Sequence, residues 1–159
     1  MSGYNFNDPN VMFLDILGLI ERLHRRLLDV IKTHMESIQR SDLNPVQALL
    51  IHNIGELEVT AGELKTRGYY QGSNVSYNLK KLVEMGYLCH ERSEHDRRAV
   101  RISLTDKGHE IHKAISELYE QHLVEMVNDG LVDEENLKVL KRNLRNVERY
   151  WTDKLRFTF

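Results

Sequence analysis

A chain of 159 residues, 41% hydrophobic and 29% charged, has the balance of one globular domain and excludes a disordered chain. No apolar run approaches the roughly 20 residues that span a bilayer, Met1 to Asn10 lacks the marks of a signal peptide, and the lone cysteine, Cys89, excludes an internal disulfide, so a cytoplasmic setting is expected. The net charge of -2 speaks against a polyanionic partner only until it is divided: it is -3 over residues 1–61, +3 over 62–108 and -2 over 109–159. Phosphates respond to the nearby field more than to the total, so the middle third is where a nucleic acid would be met.

From about Asp8 to Gln39 apolar residues recur at helical spacing: Ile16, Ile20, Leu23, Leu27, then Val30 or Ile31. Glu21, Arg25, Arg26 and Asp29 fill other faces, which predicts a long amphipathic helix. Ser41-Asp42-Leu43 breaks it. Asn44-Pro45 then supplies a cap and a proline for the first helical position. The second helix runs through Val46, Leu49 and Leu50 to a stop at Gly55. After room for a short strand, Thr60-Ala61-Gly62-Glu63 is a capping box, with Val59 and Leu64 placed for a hydrophobic staple. The third helix is short, from Ala61 to near Gly68, and Tyr69 to Gly72 form a tight connection. The fourth, about Ser73 to Met85, carries Val75, Leu79, Leu82 and Val83 in one stripe and ends at Gly86.

Two strand-like runs follow, Tyr87 to Arg92 and Ala99 to Leu104, around a charged tip. In the second, Val100, Ile102 and Leu104 alternate with Arg101 and Ser103, the period of a half-buried strand. Thr105 caps a fifth helix that reaches about Asn128, with Gly130 as its stop. Asp133-Glu134-Glu135 places acid where the dipole of a sixth helix favours it. There Leu137, Leu140, Leu144, Val147 and Trp151 step by three and four, the seam of a helix that packs on another helix.

The third and fourth helices read as a helix-turn-helix, with the fourth as the recognition helix of a major groove. Its stripe inward, Ser73, Asn74, Ser76, Tyr77, Asn78, Lys80 and Lys81 face outward. Hydroxyls and amides suit base edges, and lysines suit phosphates. The hairpin is then a wing, and Arg97 and Arg98 at its tip suit a narrow minor groove. Taken alone, the same arginines also read as a solvated turn and the lysines as plain helix surface.

Leu64 to Gly108 resembles the winged helix-turn-helix of the MarR family of bacterial regulators. The match is carried by Asn74 to Tyr87, ending Lys-Leu-Val-Glu-Met-Gly-Tyr, by Asp96-Arg97-Arg98, and by Leu104-Thr105-Asp106-Lys107-Gly108. The flanking helices fit the family too, so the resemblance covers nearly the whole chain. It implies a mainly α fold with a small β-hairpin wing, as one domain over 1–159. The DNA-binding lobe would be 43–108, and 8–40 and 109–159 would be dimerisation helices. The resemblance further implies a homodimer on a pseudo-palindromic, double-stranded operator, with Asp96 bracing Arg98 and Arg97 as the second groove residue. A ligand-responsive repressor is the expected role. Its effector would be a small aromatic or phenolic acid held between the dimerisation helices and the lobe, with His24, Arg26 and His34 as pocket candidates. No cofactor or metal is implied. Tyr77 and Asn78 depart from the common pattern, so no operator sequence carries over.

Rival readings rest on single features. A winged helix can serve as a protein-interaction adaptor without a DNA role. Cys89 beside His90 and near Arg92 would suit a thiol sensor, against the plainer reading of an unreactive strand cysteine. His109 and His112, with Glu110 between, are spaced for a metal but lack a clear third ligand. Ser93, His95 and Asp96 share one hairpin tip, which gives no buried, oriented histidine for a catalytic triad, and no phosphate-binding glycine loop is present, so an enzyme is not expected.

Overall fold

The first helix, α1 (Pro9–Ser37), starts where Asp8 accepts a hydrogen bond from the Asn10 N–H (2.9 Å) and Pro9 takes the first position. These boundaries come from a computed structural model that describes residues 8–56, 59–66, 72–92 and 100–156. The helix ends two residues before the expected Gln39. Gln39 adopts φ 59°, and the N–H groups of Gln39 and Arg40 return to the carbonyls of Glu36 (3.1 Å) and Met35 (2.8 Å). This is the left-handed helix stop that glycine usually supplies, here built on a glutamine.

In α2 (Pro45–Ile54) the cap is fuller than Asn44-Pro45 implied. The Asn44 side chain accepts from the Gln47 N–H (2.8 Å), and the Gln47 side chain accepts from the Asn44 N–H (3.2 Å). β1 (Val59–Thr60) leads into α3 (Ala61–Thr66), whose predicted box is formed: Thr60 Oγ1 accepts from the Glu63 N–H (3.1 Å), and the Glu63 carboxylate accepts from the Thr60 N–H (2.8 Å). Then come α4 (Gly72–Glu84), β2 (Leu88–Arg92), β3 (Val100–Leu104), α5 (Asp106–Asn128) and α6 (Glu134–Arg156).

The wing is a three-stranded antiparallel sheet in the order β1-β3-β2, not a bare hairpin. Leu88 faces Leu104 and His90 faces Ile102 across one side, and Val59 faces Ile102 across the other. At two residues, β1 is too short to display a period in the sequence. The alternation expected of β3 buries Ile102 and Leu104, but Val100 is 41% exposed.

Two compact units make up the chain, residues 1–116 and 117–159. In the first, a continuous core joins Leu50, Ile51 and Ile54 of α2, Leu64 of α3, Val75 and Leu82 of α4, Leu88 and Ile102 of the sheet and Ile111 and Ile115 of α5. The last turns of α1 add Ile31 and Met35. Polar contacts fasten the start of α5 to the elements before it. Arg40 pairs with Glu110 at 2.9 Å, His112 Nδ1 donates to the His52 carbonyl (3.1 Å), and the two imidazoles stack 5.0 Å apart. Burial, and then the neighbouring His112, hold the His52 pKa below its ordinary value.

The second unit contains the later turns of α5 and all of α6. Asp133 caps α6, accepting from the Asn136 N–H at 2.8 Å. None of the described residues of this unit is buried. Leu137 and Val147 are half-buried, and Leu140, Leu144 and Trp151 are exposed.

Candidate nucleic-acid interface

The stripe anticipated for α4 forms. Val75, Leu79 and Leu82 are buried and Val83 half-buried, which turns the opposite side of the helix outward. Asn74, Ser76, Tyr77, Lys80 and Lys81 are exposed, Tyr77 to 61%. Lys81 shares an exposed ion pair with Glu84 (3.5 Å) one turn on. Asn78 differs from expectation. It is half-buried, and its side-chain amide donates to the Asn74 carbonyl (2.9 Å), so part of its bonding capacity is spent on its own helix. Ser73 lies in α4, but its side chain is outside the described set, and Asp96, Arg97 and Arg98 fall wholly outside the described residues.

The exit of α4 is locked to the start of α5. Gly86, at φ 80°, ends the helix, with the Gly86 and Tyr87 N–H groups returned to Val83 (3.0 Å) and Leu82 (2.9 Å). Thr105 Oγ1 donates to the Gly86 carbonyl (2.6 Å) and accepts from the Gly108 N–H (3.2 Å), while the Thr105 N–H reaches the Tyr87 carbonyl (3.1 Å). Lys107 donates to the Met85 carbonyl (3.0 Å) and stands 4.1 Å from the centre of the Tyr87 ring. Gly108 packs so closely that a Cβ there would collide with the Tyr87 carbonyl oxygen. Tyr87 donates to Asp42 (2.8 Å), and burial first, then Asp42, push its pKa up to about 12, so the hydroxyl keeps its proton.

The sequence does not reveal this lock, although Tyr87, Thr105, Lys107 and Gly108 all lie in the segments that carry the family resemblance. Their spacing says that they matter together, and only the fold shows what they grip. The metal candidates separate in use: His112 stacks on His52 and Glu110 pairs with Arg40. Among the described residues no group of three or more metal-ligating side chains forms. Cys89 is half-buried with its Sγ 3.0 Å from Ser103 Oγ. Among the described residues, no helix is long and apolar enough to cross a membrane.

A capped helix-turn-helix followed by an antiparallel wing defines a winged-helix DNA-binding lobe. Residues 43–108 match the winged helix DNA-binding domain family. The chain is 31% identical over 154 residues to the exopolysaccharide II synthesis transcriptional activator ExpG of Rhizobium meliloti (strain 1021), covering 95% of this chain and 77% of that protein. The structure of Streptococcus pneumoniae FabT in complex with DNA matches with a TM-score of 0.69 at 25% identity, over 89% of this chain and 98% of that one. Staphylococcus aureus MarR in complex with salicylate and kanamycin shares the fold, with a TM-score of 0.71 at 17% identity, over 89% of this chain and 93% of that one. The chain belongs to the MarR family of winged-helix transcriptional regulators, which are DNA-binding proteins and not enzymes.

Proposed function

We propose that the protein acts as a cytoplasmic homodimer on a pseudo-palindromic operator, as a ligand-responsive repressor. The observation that carries this reading is the outward polar face of α4, held in place by the lock at its exit. Asn74, Ser76 and Tyr77 would read base edges in the major groove, and Lys80 and Lys81 would meet phosphates, with Ser73 and Asn78 beside them. Arg97 and Arg98, with Asp96 as the brace, would enter the adjoining minor groove. The domain division expected from the sequence, a lobe over 43–108 between dimerisation helices 8–40 and 109–159, is part of the same proposal. Exposed apolar rows on α1 and α6 support self-association. The salicylate bound by the Staphylococcus aureus protein supports a small aromatic or phenolic effector. An effector would act by favouring a dimer whose recognition helices have the wrong separation for half-sites about one helical turn apart. The Rhizobium relative is an activator, and the same DNA-bound dimer would activate where its operator lies upstream of a promoter and repress where the two overlap.

Selection of bound duplexes from random DNA, at two salt concentrations, tests the reading. A two-half-site pseudo-palindrome whose binding weakens steeply with salt is expected. On that duplex Arg98→Ala should cost on the order of 1–3 kcal/mol, concentrated at positions under the wing. No enriched sequence would shift the protein to the adaptor reading.

A further inference from the structure

The acidic balance of the second unit conceals a basic face. Lys138, Lys141, Arg142, Arg145 and Arg149 sit on α6 at steps that, at about 100° per residue, gather them on one side of the helix. The row of Leu137, Leu140, Leu144, Val147 and Trp151 occupies another side. All five basic side chains are exposed, and together with Asn146 and Glu148 they line one open groove. Lys138 is held by Glu134 (2.8 Å) and Glu135 (3.0 Å), which raise its pKa. Among the described residues, the other four have no ion-pair partner. A helix surface usually offsets such charges with carboxylates three or four residues away. Here Glu148 and Asp153 stand three and four residues after Arg145 and Arg149, but among the described residues neither forms an ion pair with them, and Lys141 and Arg142 have no carboxylate at that spacing.

We propose that this face of α6 is a docking surface for an acidic segment of a partner protein. Three of its four unpaired cations are arginines, whose planar forks grip carboxylates in pairs. The row is short, about 17 Å from Lys138 to Arg149. It is also bounded, by Glu134 and Glu135 at one end and Asp153 beyond the other. A duplex carries about one negative charge per 1.7 Å of axis without interruption and would run over those flanking carboxylates. A segment with three or four acidic side chains fits between them. An interfacial helix carries its cations on the polar face and sinks the opposite apolar row into lipid, and here that apolar row is the one proposed to pair with a second copy. This surface adds to the DNA-binding reading and does not depend on it.

The test uses full-length protein and a labelled helical peptide with glutamate at every fourth position, followed by fluorescence anisotropy. The variant is Arg142→Gln/Arg145→Gln/Arg149→Gln. Its charge-matched control, on exposed α1, is Arg22→Gln/Arg25→Gln/Lys32→Gln. The α6 variant should bind the peptide about tenfold more weakly than wild type, the scale of three exposed charge pairs together, and the control should bind as wild type does. The α6 variant should also sediment as wild type does and bind operator duplex with unchanged affinity. Equal loss in both variants, or none in either, overturns the proposal. So does a fall in duplex affinity, which would make the face a nucleic-acid surface, or a change in sedimentation, which would make it a contact between copies. Should no operator duplex exist, the peptide and sedimentation arms still decide, so this inference and the DNA-binding reading fail separately.

Discussion

Gln39 does at the end of α1 what Gly86 does at the end of α4. Both hold a positive φ, 59° and 80°, and both direct the following N–H groups back to the helix. For a residue with a Cβ that conformation costs about 1–2 kcal/mol, and glycine is spared the cost. Gln39→Gly should therefore stabilise the protein by about 0.5–1 kcal/mol after glycine's extra unfolded-state entropy is counted. A higher urea midpoint with an unchanged slope would show it. A lower midpoint would mean that the glutamine side chain has a compensating role. The same pair shows what could be read in advance. Gly55, Gly86 and Gly130 announced helix ends because their freedom is a chemical property of the residue. Gln39 announces nothing, and helical spacing alone carries α1 two residues past its end at Ser37. The outward residues of α4 followed from its apolar stripe, whereas the turn of the Asn78 amide onto Asn74 is a rotamer choice that no spacing encodes.

At the level of elements, α4 is seated by its buried stripe, and its exit is fastened by the first turn of α5. Thr105, Lys107 and Gly108 grip the Met85–Tyr87 turn through hydrogen bonds, a cation over a ring and a contact that only glycine permits. The exit of the proposed recognition helix is thus fixed from outside that helix. Lys107→Met would remove the bond to the Met85 carbonyl and the charge over Tyr87, at a cost of about 1–2 kcal/mol in stability. It should also weaken operator binding without changing how steeply binding falls with salt, because Lys107 is spent on the turn. Lys80→Ala, removing a proposed phosphate contact, should instead lower that slope by about one. A reduced slope for Lys107→Met would place its ammonium on DNA, and the lock would lose its claim to position α4. The sheet shows the limit of pattern reading at this scale. β3 was legible from its alternation, but β1 contributes two residues, and its pairing with β3 depends on where α2 and α3 leave it.

For the whole molecule the question is what covers the apolar rows. Every buried hydrophobic residue among those described lies between Ile31 and Ile115. Met12, Ile16, Leu19, Leu23, Leu27 and Val30 form an exposed row on α1, and Leu140, Leu144, Trp151 and Leu155 form another on α6. Steps of three and four residues are the pattern of helices that pack on helices. A 43-residue unit with no buried residue among those described has too little core to be stable alone. The proposed pairing of two copies would cover both rows. Deleting Leu137 to Phe159 should leave the core between Ile31 and Ile115 and yield a protein that sediments as a monomer. Its helical circular dichroism should fall roughly in proportion to the residues removed. Two linked lobes bind two half-sites with an advantage of about 10²–10⁴ over one, so the truncated protein should lose the two-half-site operator while keeping weak, salt-sensitive binding to a single half-site. A truncated protein that still sediments as a dimer would assign the interface to α1, and the seam of α6 would then need a different partner.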